Sequence, residues 1–335
     1  MKSPCLVLGA LAASAALSSA ASAQSSVTVF GQIDQGVFKG NGGTATNPGG
    51  VGTSKAWTMS QASTSRIGFR GIEDLAGGLS AQFEIEHRFN PDTGAVNSAN
   101  SFWNGRSYVQ LSDIDRGSIY IGREYTPAYW IQRKSDPFGN DGAGQAGSAA
   151  LWGDYATPDV VGNGTRASNS VGYKSPSLGG FTMNAAVGLS EATGLGRVQG
   201  LNVEYNAGAI YAGLGYEQVS GGSNDRCGVL NLAVHYNLGV VKPILYFARG
   251  RTDANGHTKA SAFMLGATAP LGPGLLKAMY YKVDSDANSR DRSKFGFGYN
   301  YSLSKRTTLY ADLGLAKQTN LTSSSVYALG MKHTF

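Results

Sequence analysis

The chain has 335 residues, a formal net charge of +6 and only 15% charged residues, against roughly 25% in an ordinary soluble domain. Glycine accounts for 47 residues and tyrosine for 17. A hydrophobic share of 41% excludes a disordered polar chain, and ten prolines without a G-X-Y period exclude collagen. This composition favours β-structure over helix.

The first 23 residues predict a secretory signal peptide. A charged start is followed by the apolar run Leu6–Leu17 and by the small-residue cleavage pattern Ala21–Ala23. The run is shorter than the roughly 20 residues that a membrane helix needs, which makes an anchor the weaker interpretation. We therefore expect residues 1–23 to be removed and residues 24–335 to form a single barrel domain.

Short runs of alternating apolar and polar residues fill the rest of the chain. Between Leu79 and Phe89, Phe83 and Ile85 alternate with Glu84 and Glu86. Successive side chains of a strand point to opposite faces, so this pattern predicts a strand with one apolar and one polar face. About sixteen such runs begin near residues 26, 57, 79, 104, 117, 166, 180, 199, 209, 227, 240, 258, 275, 292, 307 and 324. They predict an all-β protein.

The connections between these runs are of two kinds. Some are tight, such as Ala207-Gly208 and Ser304–Arg306, whereas Lys39–Ala56, Asn90–Trp103 and Thr126–Thr165 are long and polar. Short turns at one end and long loops at the other are typical of a transmembrane antiparallel β-barrel. In such a barrel the apolar faces meet lipid and the polar faces line a water-filled lumen. A soluble β-sandwich does not require its short and long connections to lie at opposite ends.

The last run, Ser324–Phe335, places Tyr327 and Leu329 on one face together with the terminal Phe335. A final strand that ends in Phe resembles the assembly signal of outer-membrane barrels. We therefore expect Phe335 to be recognised by the outer-membrane assembly machinery. The alternative is a C-terminal core strand of a soluble domain.

Four segments, in order, resemble the general porins of Gram-negative bacteria, especially the β-proteobacterial group. They are Ser26–Gly36, Thr64–Leu75 with Gly77–Leu79, Ile121–Pro127 followed by Asp136–Gly139, and Gly330–Phe335. The resemblance implies a sixteen-stranded barrel in the outer membrane, in contact with the lipid bilayer and lipopolysaccharide and assembled as a homotrimer. It implies passive diffusion of small hydrophilic solutes and ions, with no cofactor and no enzymatic activity. It also implies that the third loop folds into the lumen.

The third long connection, Thr126–Thr165, has about 40 residues and no clear periodicity. Loops of this length in a compact unit are usually functional or disordered. Trp130, Phe138 and Trp152 indicate that this loop packs, and the lumen is the available surface. The alternative is a loop that extends outside the cell.

Alternation places Arg66, Arg106 and Arg166 on the polar faces of their strands. The resemblance implies that they match a basic cluster at the channel constriction, faced by Glu86 and by a loop acid, Asp136. Charged groups at a narrow aqueous point select ions by sign, and facing rows of opposite charge orient dipolar solutes. With four further lysines assigned inward, we expect a preference for anions; these lysines are Lys174, Lys242, Lys282 and Lys294. The alternative is that the arginines are solvated wall residues.

Arg123 lies on the same face of its strand as Ile119 and Ile121, and this face should contact lipid. A cation there costs roughly 2–4 kcal/mol at mid-bilayer. It either lies near the extracellular end or is buried between subunits beside an acid. The resemblance favours the subunit interface, with Asp92 as a candidate partner.

Other functions find little support in the sequence. A barrel enzyme of the phospholipase or protease type would need Ser or Asp beside His, and His235 is the only inward histidine on a clear strand. Gly142–Gly147 fits G-x-G-x-x-G but follows no strand, so a dinucleotide site is not expected. Scattered histidines predict no metal site. Basic residues do not interleave with aromatics, which argues against nucleic acid.

Overall fold

The computed structural model describes residues 26–45, 53–147, 165–191, 196–222, 225–251, 258–286 and 291–335. The predicted signal peptide and the segment 148–164 of the third loop lie outside the described residues. The strands are β1 (Ser26–Gly40), β2 (Thr58–Ser60), β3 (Ser65–Asp74), β4 (Leu79–Asn90), β5 (Ala95–Val96), β6 (Ser107–Asp113), β7 (Gly117–Tyr125), β8 (Arg166–Lys174), β9 (Phe181–Gly188), β10 (Arg197–Ala207), β11 (Ile210–Ser220), β12 (Gly228–Tyr236), β13 (Lys242–Arg251), β14 (Lys259–Leu271), β15 (Gly274–Ser285), β16 (Arg292–Ser302), β17 (Thr307–Gln318) and β18 (Ser324–Thr334). One helix, α1 (Pro127–Ser135), follows β7.

These strands form a single closed sheet in which sequence neighbours pair antiparallel. β1 closes the ring against β18, with Gln32 opposite Thr334 and Gly40 opposite Val326. The short strands β2 and β5 add only local pairing to β1 and β4. The sixteen long strands of the described residues confirm the predicted barrel.

The two faces of the strands are inverted relative to a soluble protein. On β7, Ile119 and Ile121 point outward and are 55% and 57% exposed, whereas the inward Tyr120 is 1% exposed. An apolar outer surface suits hydrocarbon, and a closed ring satisfies the backbone hydrogen bonds of every strand. Within the described part of the chain, no helix is both long and apolar enough to cross a membrane.

Connections at one end of the barrel are tight turns, as between β10 and β11 or between β14 and β15. Those at the other end include the long connections after β4 and β7. The predicted difference between the two ends is therefore present. By the usual orientation of such barrels, the long connections are extracellular and the tight turns periplasmic.

The apolar core lies inside the barrel, between the third loop and one half of the wall. Tyr129 and Ile131 of α1 pack there against inward residues such as Ile244, Met264 and Tyr281. This half of the wall carries apolar side chains on its inward as well as its outward face. The third loop thus occupies part of the lumen, which confirms its predicted position for the residues described.

Candidate channel constriction

The third loop follows the inner wall closely because glycines on that wall leave room for it. A Cβ atom on Gly213 of β11 would lie 2.8 Å from Cδ1 of Ile131, and one on Gly266 of β14 would lie 2.6 Å from Cγ of Pro137. Further along, the backbone of the loop tip contacts Gly296 and Gly314. These two glycines are cross-strand partners on β16 and β17, so together they form one recess.

Polar side chains of the same wall hold the loop by its backbone. Asn202 donates to the carbonyl of Pro127 at 2.6 Å, and Asn231 donates to that of Ala128 at 3.0 Å. A carbonyl oxygen can accept two hydrogen bonds, so these contacts add to those within the helix and attach the first turn of α1 to the wall. The helix begins with Pro127 at a position where the missing N–H has no cost.

The far end of α1 is also tied to the wall. The ammonium of Lys134 lies 2.5 Å from the carboxylate of Glu204 on β10. Beyond the helix, the amide of Gly142 donates to the carbonyl of Ala62 at 2.9 Å, on the opposite side of the recess. The described part of the loop therefore crosses the lumen as a fixed element with contacts at both ends.

Asp136 organises the turn that follows α1. Its carboxylate accepts hydrogen bonds from the backbone amides of Phe138 at 2.9 Å, Asn140 at 3.2 Å and Ala146 at 2.9 Å. The side chain is almost fully buried, and this burial raises the pKa of Asp136 against the opposing effect of those amides. This placement differs from the expectation that Asp136 faces the channel arginines, because its oxygens are used inside the loop.

Opposite the loop, eight charged side chains form what we call the arginine wall. It consists of Arg66, Arg88, Arg106, Arg166 and Lys174 with Glu84, Glu86 and Glu124. They project from β3, β4, β7 and β8 and from the residue before β6. Among the residues that the structure describes, this cluster therefore contains five cations and three carboxylates.

Glu86 lies between two arginines, as alternation predicts for cross-strand neighbours. Its carboxylate is 3.4 Å from Nε of Arg66 and 2.7 Å from Nε of Arg88. Arg66 and Arg88 are directly opposite each other on β3 and β4. The structure thus brings the predicted Arg66 and Glu86 together and adds Arg88, which the sequence analysis did not assign to the site.

Arg106 is the most fully paired cation of the wall. Its guanidinium contacts Glu84 at 3.0 Å and binds both carboxylate oxygens of Glu124, one of them through Nε at 2.8 Å. Lys174 also reaches Glu124, at 3.2 Å. The sequence analysis did not assign Glu124 to the site. Glu124 lies four residues after the inward Tyr120 on β7, so alternation along the strand would have placed its side chain in the lumen.

Arg166 converges with Arg88 on one hydroxyl group. Arg166 donates to Oη of Tyr125 at 2.7 Å and Arg88 donates to the same oxygen at 3.1 Å. The guanidinium of Arg166 lies 4.3 Å from the centre of the Tyr125 ring, a cation–π geometry. The ring of Tyr125 stacks on Tyr129 of α1, so these arginines sit where the wall meets the loop.

Arg166 belongs to the arginine wall, although simple alternation along β8 does not explain how it gets there. The register between β7 and β8 shifts between Gly122 and Glu124, and Asn169 adopts a positive φ of 52°. β8 contributes one residue more than β7 at this bulge, so alternation counted from Lys174 does not carry through to Arg166.

Two of the four lysines assigned to the lumen from the sequence, Lys282 and Lys294, do not reach the channel water. Lys282 lies on the outward face of β15, 2.6 Å from Asp284, rather than in the lumen. Lys294 does point inward but is only 1% exposed. Its side chain lies beside Gly314, under the loop tip, so it is not offered to channel water.

Arg123 is half-buried and makes its contacts within its own chain. It donates to Oγ of Ser168 at 2.8 Å and lies 3.4 Å from the carbonyl of Asn104. Among the described residues, no carboxylate lies within 4.0 Å of its guanidinium, and Asp92 belongs to the turn after β4. A role at a subunit interface stays a prediction.

The terminal Phe335 takes part in barrel closure. Its backbone exchanges two hydrogen bonds of 3.1 Å with Gly31 of β1, and its ring packs over that glycine. A larger residue at position 31 would displace the ring. Recognition of Phe335 during assembly stays a prediction.

Comparisons with known proteins agree with this architecture. A family model described as Gram-negative porin matches residues 10–321. Outer membrane porin protein 32 of Delftia acidovorans is 35% identical, with 99% of this chain and 94% of that protein covered. An outer membrane porin of Bordetella pertussis is 28% identical over 96% of this chain and 97% of that protein.

A solved structure gives the same result for the fold. The anion-selective porin from Comamonas acidovorans superimposes with a TM-score of 0.79 at 30% identity, covering 93% of this chain and all of that one. Its barrel and the one described above share their architecture over nearly their whole length. The chain belongs to the Gram-negative porin family and forms a water-filled channel in the outer membrane.

Proposed function

We propose that this channel prefers small hydrophilic anions. The observation that carries the proposal is the charge of the arginine wall, where five cations accompany three carboxylates. Glu84, Glu86 and Glu124 compensate only part of this charge. An aqueous constriction with a positive surplus raises the local concentration of anions. The similarity to a porin named as anion-selective supports the same sign.

Two cations of the arginine wall meet at Tyr125. Arg88 and Arg166 donate to a neutral hydroxyl there, and the guanidinium of Arg133 lies 6.0 Å from the same ring. Arg88 also contacts Glu86 at 2.7 Å, whereas Arg106 is held by two carboxylates. We propose that Arg88 and Arg166, which lie where the wall meets the loop, contribute to the selectivity together with the rest of the arginine wall.

The test is the zero-current potential of single channels under a KCl gradient. The wild type should show the sign of anion preference, and the double variant Arg88→Gln/Arg166→Gln should lose at least about half of that potential because three cations would then face three carboxylates. The matched control, Lys282→Gln/Arg306→Gln, removes two exposed cations outside the arginine wall and should leave the potential unchanged. Cation preference in the wild type, or equal potentials for the two double variants, would refute the assignment.

We further propose that the channel needs no cofactor and is not an enzyme. The contact closest to a catalytic pair joins Nε2 of His235 to Oγ of Ser135 at 3.1 Å. That hydroxyl is fully buried and donates to the carbonyl of Ile131 at 2.6 Å. Its proton is directed away from the imidazole, so His235 is not placed to act as a base for it. Hydrolysis of phospholipid or peptide by the purified channel would contradict this proposal.

We also propose a homotrimer, in contact through the outer side of β4, β6 and β7. A cavity of about 630 Å³ lies there between outward apolar side chains that include Phe83, Val109 and Ile121. Val109→Arg should therefore weaken the trimer on unheated gels, whereas Leu232→Arg, an outward residue of similar exposure on β12, should not. Equal loss of trimer in both variants, or a monomeric wild type in mild detergent, would speak against this interface.

A further inference from the structure

A polar pocket lies inside the barrel, away from the arginine wall and close to the tight turns. It has a volume of about 380 Å³ and lies between the end of α1 and the wall formed by β10 to β13. We call it the periplasmic pocket, and its polar lining consists of Lys134, Asn206, Tyr211, His235, Asn237 and Lys242. Because the tight turns are periplasmic, a solute that has passed the constriction meets this pocket before it leaves the channel.

Alternation and register place these polar side chains together on the inner face. Lys242 lies on the same face of β13 as the buried Ile244. Tyr211 of β11 is directly opposite Asn206 of β10 on one side and His235 of β12 on the other. Residues directly opposite each other share a face and lie close together. The polar lining is therefore a continuous row across four neighbouring strands.

Part of this lining is already held in place by its own contacts. The ammonium of Lys134 pairs with the carboxylate of Glu204 at 2.5 Å, and the hydroxyl of Tyr211 donates to the same carboxylate at 2.9 Å. The ring of Tyr211 also packs against the imidazole of His235, with 4.5 Å between the ring centres. The ion pair contributes no net charge, so these groups form a fixed floor for the pocket.

Lys242 supplies the charge that is left over. Among the residues that the structure describes, no carboxylate lies within 4.0 Å of its ammonium, and its side chain is only partly buried. Asn206 and Asn237 add uncharged hydrogen-bonding groups to the same pocket. The side-chain oxygen of Asn237 accepts from the amide of Gly239 at 3.0 Å, which leaves its NH2 group to donate. The pocket therefore offers one uncompensated cation beside side-chain amides.

We propose that the periplasmic pocket binds sugar acids, which carry one carboxylate and several hydroxyl groups. One carboxylate matches the single surplus charge of Lys242 and forms charge-assisted hydrogen bonds with an ammonium. The hydroxyls match Asn206 and Asn237, since a side-chain amide both donates and accepts. A phosphate dianion would bring more negative charge than one ammonium compensates, close to Glu204. The volume of the pocket lies within the range of small-molecule sites, about 300–1,000 Å³.

The pocket and the arginine wall use different parts of the ring. The arginine wall projects from β3, β4, β7 and β8 and from the residue before β6, whereas the pocket is formed by β10 to β13 and by α1. A sugar acid held in the pocket needs an open channel in the outer membrane but does not need a particular ion preference at the constriction. Binding in the pocket and ion selectivity can therefore be measured, and can fail, separately.

The experiment measures how far gluconate reduces the chloride current of the full-length channel in planar bilayers, after correction for the bulk conductivity of each solution. Acetate, which has the charge without the hydroxyls, and sorbitol, which has the hydroxyls without the charge, are the comparison solutes. Lys242→Gln removes the free ammonium of the pocket. The matched control, Arg70→Gln, removes an exposed cation from the inner face of β3, on the opposite side of the ring. Chloride conductance without added solute reports whether each variant is folded and open.

Gluconate should halve the chloride current of the wild type at a lower concentration than acetate or sorbitol does. Lys242→Gln should raise that concentration of gluconate at least about tenfold, because a charge-assisted hydrogen bond is lost. Arg70→Gln should behave as the wild type does. The proposal is overturned if Lys242→Gln keeps wild-type inhibition or if Arg70→Gln loses as much.

The comparison solutes test the chemistry of the ligand. Acetate or sorbitol that inhibits as strongly as gluconate would overturn the assignment to sugar acids. Asn206→Ala should weaken inhibition by gluconate and leave inhibition by acetate unchanged, since only gluconate has hydroxyls to bind. An equal effect on both solutes would also contradict recognition of the hydroxyls. The zero-current potential of the same channels reports the ion selectivity of the arginine wall separately, so failure of either proposal gives its own reading.

Discussion

The two halves of the barrel wall shape the channel by opposite means. The half that carries the arginine wall presents long charged side chains, which reach one another across neighbouring strands. The half formed by β10 to β17 presents glycines at several points where the third loop approaches, such as Gly213 and Gly266. One half supplies charge, whereas the other supplies the room that places the loop opposite that charge.

Ion selectivity and the width of the constriction should depend on different halves of the wall. Ion selectivity should follow from residues of the arginine wall, since their charges face the open side of the lumen. The width of the constriction should follow from the glycine-lined half, because its smooth surface sets how far the loop tip reaches inward. Substitutions on each half should therefore change different measurements.

Filling the recess beneath the loop tip should have the largest effect. In Gly296→Val/Gly314→Val the new side chains would occupy the positions of the loop backbone at residues 143 and 144. The tip would be pushed into the lumen, and single-channel conductance should fall by at least about half, while the sign of ion selectivity is kept.

Phe295→Leu, on the outward face of β16, is the control and should keep wild-type conductance. Wild-type conductance in the double glycine variant would show that the loop does not depend on this recess. A reversal of selectivity would show that the two halves cannot be separated in this way.

Breaking the ion pairs of Arg106 should have the next largest effect. Arg106→Gln leaves Glu84 and Glu124 without their shared partner, and removal of one member of a buried ion pair typically costs about 3–5 kcal/mol. Because the lumen contains water, the loss should lie at or below the lower end of that range, measured by urea unfolding of the reconstituted channel.

The double variant Arg106→Gln/Glu124→Gln should recover part of this stability, since one uncompensated charge is removed with the other. Strictly additive losses in the two single variants would contradict the direct pairing. Arg66→Gln provides a comparison, because Glu86 keeps its contact with Arg88 and the loss should be smaller.

Sequence alone predicted the number and order of the strands because alternation is a local property. Every strand that must face lipid on one side repeats it, so sixteen predicted runs match sixteen long strands. The second run was less regular: it begins with β2, breaks at residues 61–64 and resumes as β3. Helix α1 was not predicted, although Pro127 after Thr126 is a typical helix start.

The site residues were harder to predict where non-local contacts decide the face. Lys282 was assigned inward on the assumption that apolar residues face lipid. On β15, however, the inward Met279 and Tyr281 are apolar because the third loop covers them. Arg166 lies inside the barrel as expected, but a bulge separates it from the rest of β8, so alternation alone does not account for its position. Asp136 is acidic and lies in the right loop, but its carboxylate is used by the backbone of the loop itself.

Loss of the charge on Asp136 should have the smallest effect. This substitution tests whether the carboxylate only holds the backbone of the third loop in place. Asp136→Asn keeps the size of the side chain but leaves one oxygen to accept; with that oxygen facing Asn140 and Ala146, the hydrogen bond from Phe138 is lost. At about 1 kcal/mol, this loss should loosen the turn without unfolding the barrel. Single-channel current should become noisier and the loop should be cut faster by protease, while the zero-current potential stays at the wild-type value. A changed potential would instead mean that the carboxylate acts on ions in the channel, and the separation between the two halves of the wall would then fail at this residue.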